Sequence, residues 1–333
     1  MNASTIFPKY TVIAVDEKGT EYRLNKVTPD ITVDEPKSGI AVKVQFSCVN
    51  VKVETGRLFD YLKIGMLLFV YADDGSKKEV VMQGILWDRK YKAENEKEIS
   101  ITGYTNLIYF QKSKGCSFFS AGKKTDAIIK SLCEDWGISC NYTYDSITHP
   151  KLPLNNKYIS DMFIEVLDEV KKQKGSKYVI RSEKNVLQVK KFGSNSEIYH
   201  FISKKSLSSL SIEESLDDVV TKVIVTGKED DNERVPVEAT VTGSNIKQYG
   251  TLQDIIQRDE GTTLATAKNE ANELLKEKGT VKPSYAFSVI DVPWVHKGDK
   301  IKITSPDING YFYVLSVSHN AKNRLMDLEV EGV

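Results

Sequence analysis

His296, Asp299 and His319 lie within one stretch, "VHKGDKIKITSPDINGYFYVLSVSHN" (295–320), and are residue types that ligate a metal ion or relay a proton. A metal centre needs at least three ligands at set spacing, and these three could meet only through the fold. "HKGD" reads as a turn, with "KIKIT" and "YFYVLSVS" as strands on either side. The expected roles are therefore turn and strand-end histidines, with Asp299 a turn residue.

Other chemistry-bearing groups are expected to be equally bland. Glu165, Asp168 and Glu169 have the i, i+3, i+4 spacing of one helix face, which predicts solvated surface. His149 and His200 fall in separate loops. "EDDNER" (229–234) lacks the glycine and terminal glutamate of an EF-hand loop. Cys48, Cys116, Cys133 and Cys140 include no CxxC pair and are expected as buried, reduced thiols. No GxSxG elbow, HExxH or P-loop is present. No catalytic residue, metal ligand or cofactor is expected, and the protein is not expected to be an enzyme.

The 46 basic and 46 acidic side chains of the 333-residue chain cancel. Binding to phosphate backbones draws on a net basic face, so nucleic acid is not the expected partner. The longest apolar run, "IGMLLFVYA" (64–72), is far shorter than the ~20 residues that cross a bilayer. The N-terminus lacks the charged and apolar regions of a signal peptide. Folding in a cytoplasm, without membrane insertion, is expected.

Elements must position these groups. "TVIAVD", "GTEYRL", "GIAVKVQFSCV", "MLLFVYA", "EVVMQGILWDR" and "EISITGY" read as short strands separated by turn signals, predicting a small antiparallel barrel or sandwich over 1–105. Residues 106–203 read as an α+β module. It has a helix over 124–136, capped by Thr125 and stopped by Gly137, and a second over 160–174 ended by Gly175. A β-hairpin, "KYVIRSEKNVLQVKKF", completes it. Residues 204–228 and 285–333 return to strand and form a discontinuous second β domain. Between them, 229–284 is an insertion with a helix over 263–278.

Parts of the two β regions align. "YLKIGMLLFVYADDG" (61–75) has the form of "WVHKGDKIKITSPDING" (294–310). "VVMQGILWD" (80–88) then matches "FYVLSVSHN" (312–320), and "ISITG" (99–103) matches "LEVEG" (328–332). Three pieces in one order at near-equal spacing indicate a duplicated β unit. Gly65, Gly103, Gly298, Asp299 and Gly332 are the expected repeat turns. The approximate counterparts of His296 and His319 are Ile64 and Asp88, so the pattern is shared and the imidazoles are not.

This order of domains, with "TDAIIKSLCEDWGI", "ISDMFIEVLDEVKKQKGSKYVIRSEKNVLQVKKF", "SLSIEESLDDVVTKVIVTG" and the closing "VHKGDKIKITSPDINGYFYVLSVSHNAKNRLMDLEVEG", resembles the tail-hub proteins of contractile phages and phage-tail-like bacteriocins, in particular the XkdQ/YqbQ group. The resemblance implies an α+β, mostly β fold with two related tube-like β-barrels. It implies a homotrimer whose six barrels form a pseudo-sixfold ring joining a tail tube to a spike, with other baseplate proteins as partners. The expected location is the tail tip or baseplate of a virion or bacteriocin particle, assembled in the bacterial cytoplasm. Two alternatives are a peptidoglycan-degrading enzyme working through Glu165 or Asp168, and a glycan-binding tail component using Trp87, Trp136 and Trp294.

Overall fold

The computed structural model describes residues 7–24, 30–53, 55–91, 98–203, 205–229, 234–258 and 261–333. They divide into one compact unit of 1–211 with 286–333 and a second of 212–285. The chain is mostly β.

Thirteen strands of the structure form one sheet. In chain order they are β1 (Lys9–Val15), β2 (Glu21–Arg23), β3 (Asp30–Glu35), β4 (Lys43–Val49), β5 (Leu67–Asp73), β6 (Lys78–Tyr91) and β7 (Glu98–Tyr104). After the α+β module come β8 (His200–Ile202), β9 (Leu207–Glu213), β10 (Ser284–Ile290), β11 (Lys300–Thr304), β12 (Asn309–Asn320) and β13 (Leu325–Gly332). Their spatial order is β9-β10-β13-β12-β3-β4-β7-β6-β5-β1-β2, with β11 lying between β12 and β8.

That order contains one arrangement twice. The run β3-β4-β7-β6-β5 and the run β9-β10-β13-β12-β11 are the same five-strand path, each strand displaced by six in chain order. The outer neighbour differs: β1 runs antiparallel to β5, whereas β8 runs parallel to β11. Among the described residues the ladder is open at β9 and β2 and does not close on itself. Alternation builds the core. In β4, Val44, Phe46 and Cys48 point inward while Gln45 and Ser47 point out. They join Val12, Leu68, Val70, Leu86 and Ile101, all buried, and each such large side chain contributes about 1.5–3 kcal/mol.

The α+β module fills the connection from β7 to β8. Helices α1 (Thr125–Glu134) and α2 (Ile159–Lys174) pack Ile128, Ile129, Leu132, Met162, Phe163 and Val166 around Phe110. Gly175 ends α2 in the left-handed conformation, φ 67°, and donates to the Lys171 carbonyl at 2.8 Å. Thr125, expected as the cap of α1, is its first helical residue. Its hydroxyl accepts from Ile147 N–H and bonds His149 Nε2 at 2.9 Å. The hairpin strands Tyr178–Glu183 and Val186–Lys191 carry a third strand, Cys140–Asn141.

The unit 212–285 has its own core. Lys222–Thr226 lies between Val237–Thr242 and Gln253–Gln257, and α3 (Leu264–Lys278) packs Ala267 and Ala271 over Val223 and Val225. Thr263 caps α3 by accepting from Thr266 N–H at 3.1 Å. The strand Lys222–Thr226 is expected from sequence in the second β domain, 204–228 with 285–333, whereas it pairs within the unit 212–285. Alternation identified it as a strand but not which sheet it joins.

Candidate functional site: a polar joint between the two β units

The β3 strand pairs antiparallel with the far half of β12, Glu35 opposite Val317 and Thr32 opposite Asn320. One continuous ladder thus runs from the first β unit into the second. Beside this seam lies the loop 291–299, which carries His296, while His319 lies on β12 itself.

This loop has a twin at 58–66. Gly65 and Gly298 take φ of 89° and 87°, a region glycine enters without steric cost. Gly65 N–H donates to Leu86 O at 2.8 Å, and Leu86 N–H returns to Met66 O at 2.8 Å. Gly298 N–H donates to Val314 O at 2.7 Å, and Val314 N–H returns to Asp299 O at 2.8 Å. Even the side-chain cap recurs: Lys63 N–H donates to Met66 Sδ at 3.0 Å, and His296 N–H to Asp299 Oδ2 at 2.9 Å. Both central strands then bulge, after Leu86 in β6 and after Val314 in β12.

These matches fix the register of the repeat. The counterpart of His296 is Lys63 rather than Ile64, and that of His319 is Tyr91 rather than Asp88. Gly103 stands opposite Leu86, and Val330 opposite Val314. Gly103 and Gly332 are therefore not equivalent, and neither is a turn. Gly103 sits inside β7, where a Cβ would come within 2.5 Å of Leu68 Cδ1, while Gly332 faces open space.

The polar side chains of the loop, together with His319 of β12, are paired across the joint. His319, buried, bonds Asp291 Oδ1 through Nδ1 at 2.7 Å and Val295 O through Nε2 at 3.1 Å. Tyr10 of β1 donates to Asp291 Oδ2 at 2.7 Å. His296 Nδ1 meets Glu35 Oε1 at 2.6 Å, and Lys297 N–H donates to Glu35 Oε2 at 3.0 Å. The Lys297 ammonium is spent on the carbonyls of Pro36, Lys37 and Gly39. Asp299 receives Arg181 Nη2 at 2.6 Å, and Arg181 Nε donates to Lys297 O at 2.7 Å. Trp294 Nε1 donates to Asp74 Oδ2 at 2.8 Å, and Lys77 lies over its ring. One loop thus ties both β units and the module together.

Burial sets the electrostatics. Burial opposes protonation of His319, but the Asp291 charge and hydrogen bond outweigh it and raise its pKa. Burial likewise resists ionising Glu35, yet His296 and Arg181 hold its carboxyl down at about 2. Burial pushes the Lys297 ammonium down to about 8. Glu35 gives a signed expectation. Its contribution is complete above the ordinary value of 4.5 and is lost as pH falls through about 2. That contribution is about 3 kcal/mol. Urea midpoints taken along this acid limb should fall steeply in the native chain and far less in Glu35→Gln; parallel slopes would contradict the assignment.

No group of three His, Cys, Asp or Glu residues fit to hold a metal lies among the described residues. His296, Asp299 and His319 do not converge: they face Glu35, Arg181 and Asp291 respectively. With side chains of Asp291 and His319 0% and 4% exposed, that pair offers no surface to a substrate. On α2, Glu165 pairs with Lys157, and Glu169 with Lys172. His200 opens β8 instead of lying in a loop, bonding Thr304 Oγ1 at 2.9 Å. Cys116 departs from the expected burial because it sits on the outward face of the strand Lys114–Phe119. Trp87 packs against Tyr104 and Tyr109, and Trp136 against Phe110. Residues 230–233 of the acidic "EDDNER" lie outside the described residues. Tyr10, Glu35, Asp74, Arg181 and Asp291 were not legible as site residues; the one local signal was a carboxylate inside the apolar run "FSVIDVPW".

This fold is that of phage-tail proteins. The structure matches the tail protein of Neisseria meningitidis MC58 over 96% of both chains, at 13% identity and a TM-score of 0.69. It matches the 43 kDa tail protein of prophage MuSo2 from Shewanella oneidensis over 96% of this chain and 97% of that one, at 15% identity and 0.68. The E. coli c3393 protein, a type VI secretion component described as structurally similar to phage T4 tail proteins gp27 and gp5, matches at 10% identity and 0.55 over 92% of this chain and 74% of its own. No curated protein matches the sequence. The chain belongs to the YQBQ-like family, whose model matches residues 31–331.

Proposed function

We propose that this protein is a structural hub of a contractile tail, a homotrimer whose six β units form a ring between a sixfold tail tube and a threefold spike. The observation that carries this reading is the same five-strand path, with the same glycine turn, present twice in one chain. Three copies of a chain with two near-equivalent units can occupy six near-equivalent positions. The fold shared with tail proteins and with the type VI component supports a place at the tail tip. The role is mechanical: the joint's charges are consumed in holding units together, which suits a part that bears load and passes attachment from tube to spike.

Class averages of tail particles labelled on this chain should place it as a ring between tube and spike. Light scattering of the purified chain should give three times the monomer mass. A label found elsewhere on the particle, or absent from it, would remove the hub reading.

A further inference from the structure

The cis joint uses one edge from each β unit, and its two counterparts are left over. Past Val314, β12 has β13 on one flank and β3 on the other. Its counterpart, β6 past Leu86, has β7 on one flank, and among the described residues no strand lies on the other at Asp88–Tyr91. The counterpart of β3 is β9. Among the described residues it pairs with β10, apart from a single bridge from Leu207 to Ser203, and ends the sheet. Each chain therefore holds one spare edge strand and one spare flank of the kinds that already pair within it.

We propose that a second copy of this chain fills the gap: β9 of one copy adds antiparallel to the Asp88–Tyr91 flank of β6 in the next. This rests on the ring reading and names its contact. Strand addition supplies backbone hydrogen bonds to both edges, which otherwise stay unpaired.

The loop beneath the flank does not block it. Arg89 reaches from β6 to the carbonyls of Phe59 and Leu62, as His319 reaches from β12 to the carbonyl of Val295. Leu62 and Val295 each stand three residues before the twin glycines Gly65 and Gly298, so the loops occupy matching places. In the second unit that place leaves room for β3. The outward faces also correspond. Ser209 and Ser211 line the same concave surface as Ser318 and Asp34, and Lys90 is the counterpart of Ser318.

Neighbouring strand residues bring their Cβ atoms to about 5 Å, within reach of a short bis-maleimide. In a chain with Cys116→Ser and Cys140→Ser, Ser209→Cys combined with Lys90→Cys should cross-link copy to copy. Either change alone should not, nor should Ser209→Cys with Lys130→Cys on α1. A trimer by light scattering that the Ser209–Lys90 pair fails to link would overturn this contact while leaving the hub standing. A chain that stays monomeric at every concentration overturns the contact too. Hub placement is read separately, from the particle images.

Discussion

Replacing Asp291 by alanine should lower the unfolding free energy by about 3–5 kcal/mol, the range for a buried charge left without its partner. The carboxylate is shared by a phenol and an imidazole from the two β units, Tyr10 and His319. Burial and the Asp291 charge both keep Tyr10 protonated as the donor. Without Asp291, the same burial that is now outweighed would drive His319 to its neutral form. The pH dependence follows. A histidine with a raised folded value contributes stability that is full below the ordinary 6.5 and lost as pH rises through the folded value. Urea unfolding of Asp291→Ala should lose this alkaline slope together with the stability. A double-mutant cycle with His319→Leu should show the second change costing much less in the Asp291→Ala background. Strictly additive costs would mean that the pair does not act as a unit.

Gly84→Ala should be comparably damaging, at about 3 kcal/mol or more, through overpacking rather than charge. At Gly84, β6 is finishing its pairing with β5 and beginning its pairing with β7. A Cβ there would stand 2.0 Å from the Tyr104 carbonyl oxygen and 2.6 Å from its carbon, which are backbone atoms that no rotamer change can move. The ladder must open or the turn must shift. Gly19→Ala is the control: it carries the cost of a positive φ, 81°, which Gly84 does not, and meets nothing within 4 Å. Thermal unfolding of the two variants should separate strand clash from backbone strain. Equal losses would refute the clash.

Helices were the most legible elements. The stripe that predicts a helix over 160–174 gives α2 at Ile159–Lys174, and the 263–278 pattern gives α3 with Thr263 as its cap. The glycine turns at 65 and 298 were also legible, because each opens a strand after a lysine. Registers in the repeat were not. The sequence alignment set Asp88 near His319 and Gly103 beside Gly332, where the structure sets them beside Ser316 and Val330. The slip at Gly103 is even, and an alternating pattern looks the same after any even shift. The first two strands of the repeat escaped notice for another reason. The loop from β3 to β4 is residues 36–42, whereas that from β9 to β10 holds 214–283. The joint itself has no local signature, since Glu35 and His296 stand 261 residues apart.

The seam between β3 and β12 also governs how the chain is made. Asp34 and Ser318, which bond across it, are separated by 284 positions. At about 5–20 residues per second of translation, β3 leaves the ribosome on the order of 15–60 s before its partner. Throughout that interval the nascent first β unit exposes an unpaired strand to every other polypeptide nearby. A ribosome stalled or a gene truncated before codon 309 would release a product with that edge permanently bare. Loss of the last few dozen residues should therefore yield sticky, chaperone-bound material rather than a shorter soluble protein.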